Sequence, residues 1–465
     1  MKKVFINRTI VWVVVIFLLS SIFRIFFLDL MEFKSDEATT VYQTFLFFDH
    51  PYLIQRGLIS GLGVYNFPFF NYLMIIFAIW SRDPLNLSWI IALINSFCVS
   101  GYYLLVRKYY DNTTAVITSL LLAFSPWGVI FSRKIWAQNL INIFLIPYLF
   151  VLHELVIFKN TKVVFPLFLL LTILTQLHAS GLFLLVATVL IIITSHVKIN
   201  FKDAIAGILV GLIPTIPYIL FQINSTPQCP DCETFLRYQE SLRKIDFNNL
   251  FRPFQIISGL GYHFVLGKDY ADFVSVFPVI NILKYFFATS SLAILAGAIY
   301  IFIKKQKLLF LVVYFVTIPI LYLTTKTTAY MHYFVIIIPV SILLFSLSLK
   351  SVFLQKSKLL KVLAYSYFVI FIISNITFII VFYKFLALKK SIDGDYGPIY
   401  SLTKSFINRE TSEYTHLDYY PQLVSFAYIY AQSKNLHPKL SEFFLEKGAS
   451  DLAKKEINKE VKTNE

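Results

Sequence analysis

The chain has 465 residues, 57% hydrophobic and 14% charged, with a mean hydropathy of +0.70. A soluble domain is nearer half apolar and a quarter charged, so a water-soluble globular fold is excluded. The formal charge of +15 does not point to nucleic acid, because no polar segment carries a basic stripe interleaved with aromatics. Lysine- and arginine-rich cytoplasmic loops explain it.

The amino terminus, "MKKVFINRTIVWVVVIFLLSSIF", has a basic start and an apolar core. The run reaches Leu28 with no small-x-small cleavage site, so it reads as a retained first helix rather than a signal peptide. Further apolar runs follow in chain order. With the first, the predicted spans are 9–28, 86–106, 113–131, 138–157, 163–178, 180–195, 203–222, 282–303, 308–324, 331–349 and 362–383. Each is near the ~20 residues a helix needs to cross the hydrocarbon. The run "NFPFFNYLMIIFAIW", 66–80, is ambiguous: it is short and Pro68 interrupts its start.

Loop charge decides that case. If 66–80 does not cross, the cytoplasmic connections hold sixteen basic residues, from Lys2 to Lys361, and the short outer loops hold six. If it crosses, every later connection changes side and the bias reverses. The positive-inside rule therefore predicts eleven spans, a cytoplasmic N-terminus and an extracytoplasmic C-terminus. Residues 29–85 become one outer loop carrying interfacial or re-entrant helices, and 223–280 a second long outer loop. The expected organisation is an all-α membrane domain, 1–383, and a mostly helical extracytoplasmic region, 384–465. No internal repeat is evident.

This threading collects polar chemistry at one membrane face. Asp36 and Glu37, in "FKSDEATTVYQ" (33–43), follow the first span. They suit the first turn of a helix capped by Ser35, and they equally suit general-base chemistry. Arg133 and Lys134 break the positive-inside trend; they either snorkel to headgroups or contact phosphate, Arg133 the better for its forked donors. Lys326, Tyr330 and His332 stand at the mouth of a later span, and His178 lies between two short spans. Arg24 is one turn inside the end of the first span, where an ionisable residue is functional by default. Cys229 and Cys232 form "CPDC" in a polar loop. Two thiols do not complete a zinc site, so they read as a local disulfide or free thiols. "DGDYGP" (393–398) reads as a turn, since calcium needs more oxygen ligands at loop-like spacing.

Five segments together resemble the GT-C superfamily of membrane glycosyltransferases. They are "SDEA" (35–38), "YNFPFF" (65–70), "LLVRKYYDNTTAVITSLLLAFSPWGVIFSRKIWAQNL" (104–140), "TQLHASGLFLL" (175–185) and "AYMHYFVIIIP" (329–339). The likeness is to the protein O-mannosyltransferases and the lipid A aminoarabinose transferases, and it covers most of residues 9–349. It implies a GT-C-like fold, a polyprenyl-phosphate sugar donor, an extracytoplasmic active site, and an acidic residue in the first outer loop. By position that acid is Asp36, as base, with Glu37 beside it. Arg133, Lys134, Lys326, His332 and Tyr330 become donor-phosphate candidates, and His178 and Arg24 candidate substrate contacts.

Two departures stand out. Relatives often carry another acid in the second outer loop, and 132–139 contains none; relatives also often have Arg-Tyr where this chain has His332-Tyr333. The sequence supports no metal ligand set and no cofactor, with a divalent metal left open. The expected partners are the lipid-linked donor, a lipid, glycan or protein acceptor, and membrane lipids. Two alternatives compete. A polyprenyl-lipid flippase or transporter would place ionisable groups at mid-membrane. A polysaccharide polymerase or ligase would draw on loop arginines such as Arg237, Arg243 and Arg252.

Overall fold

A computed structural model describes residues 2–49, 51–58, 65–224, 245–324 and 329–407. Cys229, Cys232, Arg237, Arg243, Lys326 and the tail beyond residue 407 lie outside the described residues. The protein is an all-α polytopic membrane protein. Among the described residues, eight helical stretches are long and apolar enough to cross a bilayer: Arg8–Ile25, Pro84–Tyr109, Ala137–Phe158, Phe201–Asn224, Val279–Lys304, Gln306–Thr324, Met331–Phe353 and Lys358–Lys389. Three further predicted spans appear as shorter apolar helices, so helix length by itself supports eight crossings, not eleven.

The helices are α1 (Lys2–Ile25), α2 (Ser35–Asp49), α3 (Phe69–Ala78), α4 (Pro84–Tyr109), α5 (Asn112–Ala123), α6 (Pro126–Ile130), α7 (Ile141–Phe158), α8 (Val164–Leu177), α9 (Ser180–Thr194), α10 (Phe201–Gly211) and α11 (Ile216–Asn224). After residue 244 come α12 (Arg252–Gln255), α13 (His263–Leu266), α14 (Asp269–Val276), α15 (Val279–Lys304), α16 (Leu309–Thr324), α17 (Ile338–Phe353) and α18 (Lys358–Lys389). A two-residue hairpin, β1 (Ser391–Ile392) with β2 (Gly397–Pro398), leads to α19 (Tyr400–Ile407).

Local signals explain several boundaries. Asp83 caps α4 through the Leu85 N–H, with Pro84 in the first turn, where its missing N–H costs nothing. The predicted span 113–131 divides in two: Ser125 caps α6 and Pro126 opens it, and a proline cannot continue the ladder of the preceding helix. The ambiguous run becomes α3, 10 residues long. At 1.5 Å per residue that is about 15 Å, half the hydrocarbon thickness. It packs on α2 as a pair, not as a span.

The core lies between α4, α5, α7 and α17, whose inner faces are almost wholly buried. Leu18, Leu209, Leu292 and Val362 are exposed, as lipid-facing side chains are. Where α15 crosses α17, a Cβ on Gly297 would stand 1.9 Å from the Leu344 carbonyl oxygen. Only glycine permits that approach, the small-residue packing expected where lipid supplies no hydrophobic drive. Polar side chains separate into two sets. At the C-terminal ends of α4 and α7, Lys108 pairs with Glu154 at 2.6 Å and Lys350 with Asp111. At their N-terminal ends, Glu32, Lys34, Asp36, Glu37 and Lys134 gather instead.

Candidate active site

The site is built where α1 ends. Phe27 turns the chain out of α1 in a left-handed conformation, which leaves the last carbonyls of α1 without helical partners. Arg133 supplies them: Nη1 donates to the carbonyls of Phe23 (3.0 Å) and Phe26 (2.9 Å), and Nη2 to that of Phe27. Its guanidinium also lies 4.3 Å from the Tyr383 ring centre. Arg24 does the same for α5, which stops short of Pro126. Its donors reach the carbonyls of Ser20 (2.8 Å), Ala123 (2.9 Å) and Leu122 (3.1 Å). Both arginines are buried.

Lys134, the next residue, points the other way. Its ammonium lies 2.6 Å from Glu32 and 3.2 Å from Glu37. Lys34 reaches Glu32 at 2.6 Å and gives its backbone N–H to Glu37 at 3.0 Å. Two lysines and two glutamates thus form one compact ionic cluster. Glu37 is fully buried. Loss of water pushes its pKa up to about 7 against the pull of Lys134, with Glu32 and Asp36 adding to the rise. For Lys34, burial works against the charge, but Glu32 and Glu37 more than compensate and raise its pKa.

Asp36 faces a different surface. Its Oδ2 accepts the indole N–H of Trp136 at 3.0 Å, and the side chain is half-buried. Trp136 begins an aromatic wall. Its ring centre is 4.7 Å from His332, which sits 4.5 Å from Tyr333, 5.6 Å from Tyr330 in parallel, and 6.3 Å from His178. His178 caps α8; its Nδ1 accepts the Ser180 N–H at 3.1 Å. Burial lowers its pKa to about 4, so the imidazole is neutral near pH 7.

Four participants were not singled out by sequence reasoning. Glu32 and Lys34 complete the ionic cluster, and Trp136 orients Asp36. Arg252 had been noted only as a loop arginine. It is buried, with Nη2 4.0 Å from Asp246 and its guanidinium 3.7 Å from the Phe264 ring centre. Among the described residues its Nε and Nη1 have no hydrogen-bond partner. Helix α12 packs against residues 331–337, the segment that carries His332. A separate small cavity, between α1, α4, α5 and α7, is lined by Arg24, Asn95, Cys98, Asn139 and Asn142. Asn142 donates to Asn95 at 2.9 Å and Asn95 to the Asn139 carbonyl at 2.7 Å, while Asn139 Oδ1 and Arg24 Nε have no hydrogen-bond partner among the described residues.

Among the described residues no three His, Cys, Asp or Glu side chains converge to hold a metal ion. Where two carboxylates do meet, Glu32 and Glu37, the Lys134 ammonium already bridges them.

No protein-family model matches the sequence, and no curated protein matches it by sequence. Solved structures do match by fold. The Archaeoglobus fulgidus oligosaccharyltransferase in complex with zinc and sulfate superposes with a TM-score of 0.51 at 17% identity, over 88% of this chain and 56% of that one. Its apo form gives 0.50 at 14% identity, over 89% and 59%. ArnT from Cupriavidus metallidurans, bound to undecaprenyl phosphate, gives 0.49 at 13% identity, over 94% and 76%. The chain therefore spans little more than half the length of the archaeal enzyme. At these identities the likeness is one of fold, and it meets the expectation drawn from the motifs: this chain is a polytopic membrane protein with the GT-C fold.

Proposed function

We propose that the protein is a membrane glycosyltransferase that moves one sugar from a polyprenyl-phosphate carrier to an acceptor hydroxyl at the extracytoplasmic face. The observation that carries this reading is the Asp36 carboxylate, held by Trp136 beside a wall of aromatic rings. Rings of this kind pack against the apolar faces of a sugar, and a fixed carboxylate can take a proton from an attacking hydroxyl, an effect worth typically 10²–10⁴-fold.

In the reaction the acceptor oxygen bonds to the anomeric carbon. The bond from that carbon to the phosphate oxygen breaks, and its electron pair stays on the departing polyprenyl phosphate. The acceptor proton goes to Asp36. The leaving group is already an anion, so it needs positive charge more than protonation. Arg133 and Lys134 are engaged with carbonyls and with glutamates. Arg252, with two unused donor atoms, is the described cation best able to meet a phosphate, with Tyr330 exposed nearby on the His332 segment. In this reading Glu37 positions the site through Lys134, while His178 and His332 line the sugar pocket.

A transporter would need ionisable side chains free within the spans, and Arg24 is bonded to four carbonyls. The test is a transfer assay on the purified chain with a panel of radiolabelled polyprenyl-phosphate sugars. Transfer or donor hydrolysis abolished by Asp36→Asn supports the assignment. Turnover that survives this substitution removes Asp36 as base.

A further inference from the structure

The segment "DGDYGP" reads as a plain turn in sequence, yet it is built into the site. The hairpin β1–β2 pairs Ser391 with Pro398 and Ile392 with Gly397. Its outer strand lies along the stretch just before Asp36: Phe33 donates its N–H to the Pro398 carbonyl at 3.0 Å, and Tyr400 donates to the Met31 carbonyl at 2.8 Å. The Tyr396 hydroxyl donates to the Leu30 carbonyl at 2.6 Å, and the Lys34 ammonium to the Asp395 carbonyl. On the other side Tyr396 donates its N–H to the Val265 carbonyl at 3.2 Å. A Cβ on Gly394 would stand 2.2 Å from the same carbonyl oxygen, so this close contact demands glycine.

A hairpin fixed at so many points holds the Asp395 backbone in one place. Its side chain is exposed. Its carboxylate lies within electrostatic reach of Lys34, Glu32, Lys134 and Arg252, and it acts on Tyr333 together with Asp36. Among the described residues no hydrogen bond or ion pair to the carboxylate itself is present; the Lys34 contact is to its backbone. Nor does the cluster require it as a counter-ion, because the two lysines are balanced by Glu32 and Glu37. Surrounding protein nevertheless withdraws enough water to raise its pKa, against the opposing effect of Lys34.

We propose that Asp395 is a second carboxylate of the site that binds the acceptor, accepting a hydrogen bond from one of its hydroxyls while Asp36 takes the proton of the attacking one. The inference rests on the transferase reading above. It places an acid on an element far in sequence from Asp36 but joined to residues 30–34. An ionised carboxylate only accepts hydrogen bonds, so the subsite favours a hydroxyl-rich, uncharged acceptor group over a phosphorylated or carboxylated one.

The experiment compares wild type, Asp395→Asn, Asp395→Glu and Asp36→Asn as full chains in source membranes, which contain the native acceptor, given radiolabelled polyprenyl-phosphate hexoses and pentoses. A parallel measurement takes the affinity of each purified protein for undecaprenyl phosphate. Asp395→Asn is expected to lower transfer at least tenfold and to raise the acceptor KM, with undecaprenyl phosphate affinity within twofold of wild type and partial recovery in Asp395→Glu. Transfer by Asp395→Asn at the wild-type rate overturns the proposal. So does a matching loss of undecaprenyl phosphate affinity, which would make the residue structural or donor-binding. A wild type that binds the lipid phosphate but transfers no sugar overturns the transferase reading and this inference with it.

Discussion

Trp136 donates its indole N–H to Asp36 across 100 residues of sequence, Nε1 to Oδ2 at 3.0 Å. The bond ties the short loop before α7 to the first turn of α2 and sets the direction of the carboxylate. It engages one carboxylate oxygen, Oδ2. Replacing Trp136 with Phe keeps an aromatic ring beside His332 and removes the donor. A single hydrogen bond to a charged group is worth about 1.5–3 kcal/mol. Trp136→Phe should therefore lower kcat by about ten- to hundredfold, with unchanged membrane levels. Steady-state transfer rates at saturating donor check this, and an unchanged kcat would separate Trp136 from the orientation of Asp36.

Lys134 carries a different burden. Its ammonium separates two buried carboxylates, and breaking a buried ion pair from one side typically costs about 3–5 kcal/mol. Lys134→Met should be strongly destabilised in thermal unfolding in detergent. The double variant Lys134→Met, Glu37→Gln should recover most of the loss, because it removes the unpaired charge and keeps the Lys34–Glu32 pair. A single substitution as mild as a surface lysine change would contradict the burial of this cluster.

The same cluster makes stability depend on pH in a stated direction. Glu37 has an ordinary pKa of 4.5 and a folded one of about 7. The native state thus holds a proton that the unfolded chain has released between those values. The contribution is fully present below pH 4.5 and is lost as pH rises through 7, on the order of 1–3 kcal/mol. His178 works in the opposite sense. Its folded pKa of about 4 against 6.5 gives a contribution present above pH 6.5 and lost as pH falls through 4. The two partly cancel in wild type. The difference in unfolding temperature between wild type and Glu37→Gln isolates the first; it should shift against wild type as pH rises from 4.5 to 7 and then level off. A flat difference over that range would show that Glu37 is ionised throughout.

Much of this architecture was legible from sequence because its signals are local. Apolar runs marked the long helices, and the charge of their flanks argued against a crossing by 66–80, where α3 is 10 residues long. Asp36 and Glu37 were legible as candidates because they follow the first span in a recognisable pattern. What a side chain does with its donors was not. Arg133 and Arg24 look like phosphate or substrate ligands in sequence, but both satisfy helix ends whose exposed carbonyls depend on where Phe27 and Pro126 break the chain. Asp395 and Arg252 come from segments 143 residues apart, and only folding brings them within reach of each other. The two glycines of "DGDYGP" were the usable clue, since Gly394 meets Val265 too closely for any side chain.

The contrast between the two arginines gives the last prediction. Arg133 has its donors on three carbonyls at the end of α1; the Tyr383 hydroxyl and the Leu30 N–H still reach those of Phe23 and Phe27, so Arg133→Ala orphans the Phe26 carbonyl, about 1–3 kcal/mol, and should unfold at lower temperature. Any loss of lipid affinity in that variant should follow from instability and recover on cooling. Arg252 has two donor atoms without partners, and burial lowers its pKa, partly offset by Asp246. Its removal relieves a desolvated charge, so Arg252→Gln should cost little stability. Its affinity for undecaprenyl phosphate, measured by thermal shift on the purified chain, should fall about ten- to hundredfold, as expected when one charge-assisted contact to phosphate is lost. The opposite pattern, with Arg133→Ala stable but unable to bind and Arg252→Gln unstable but able to, would return the phosphate site to the loop before α7.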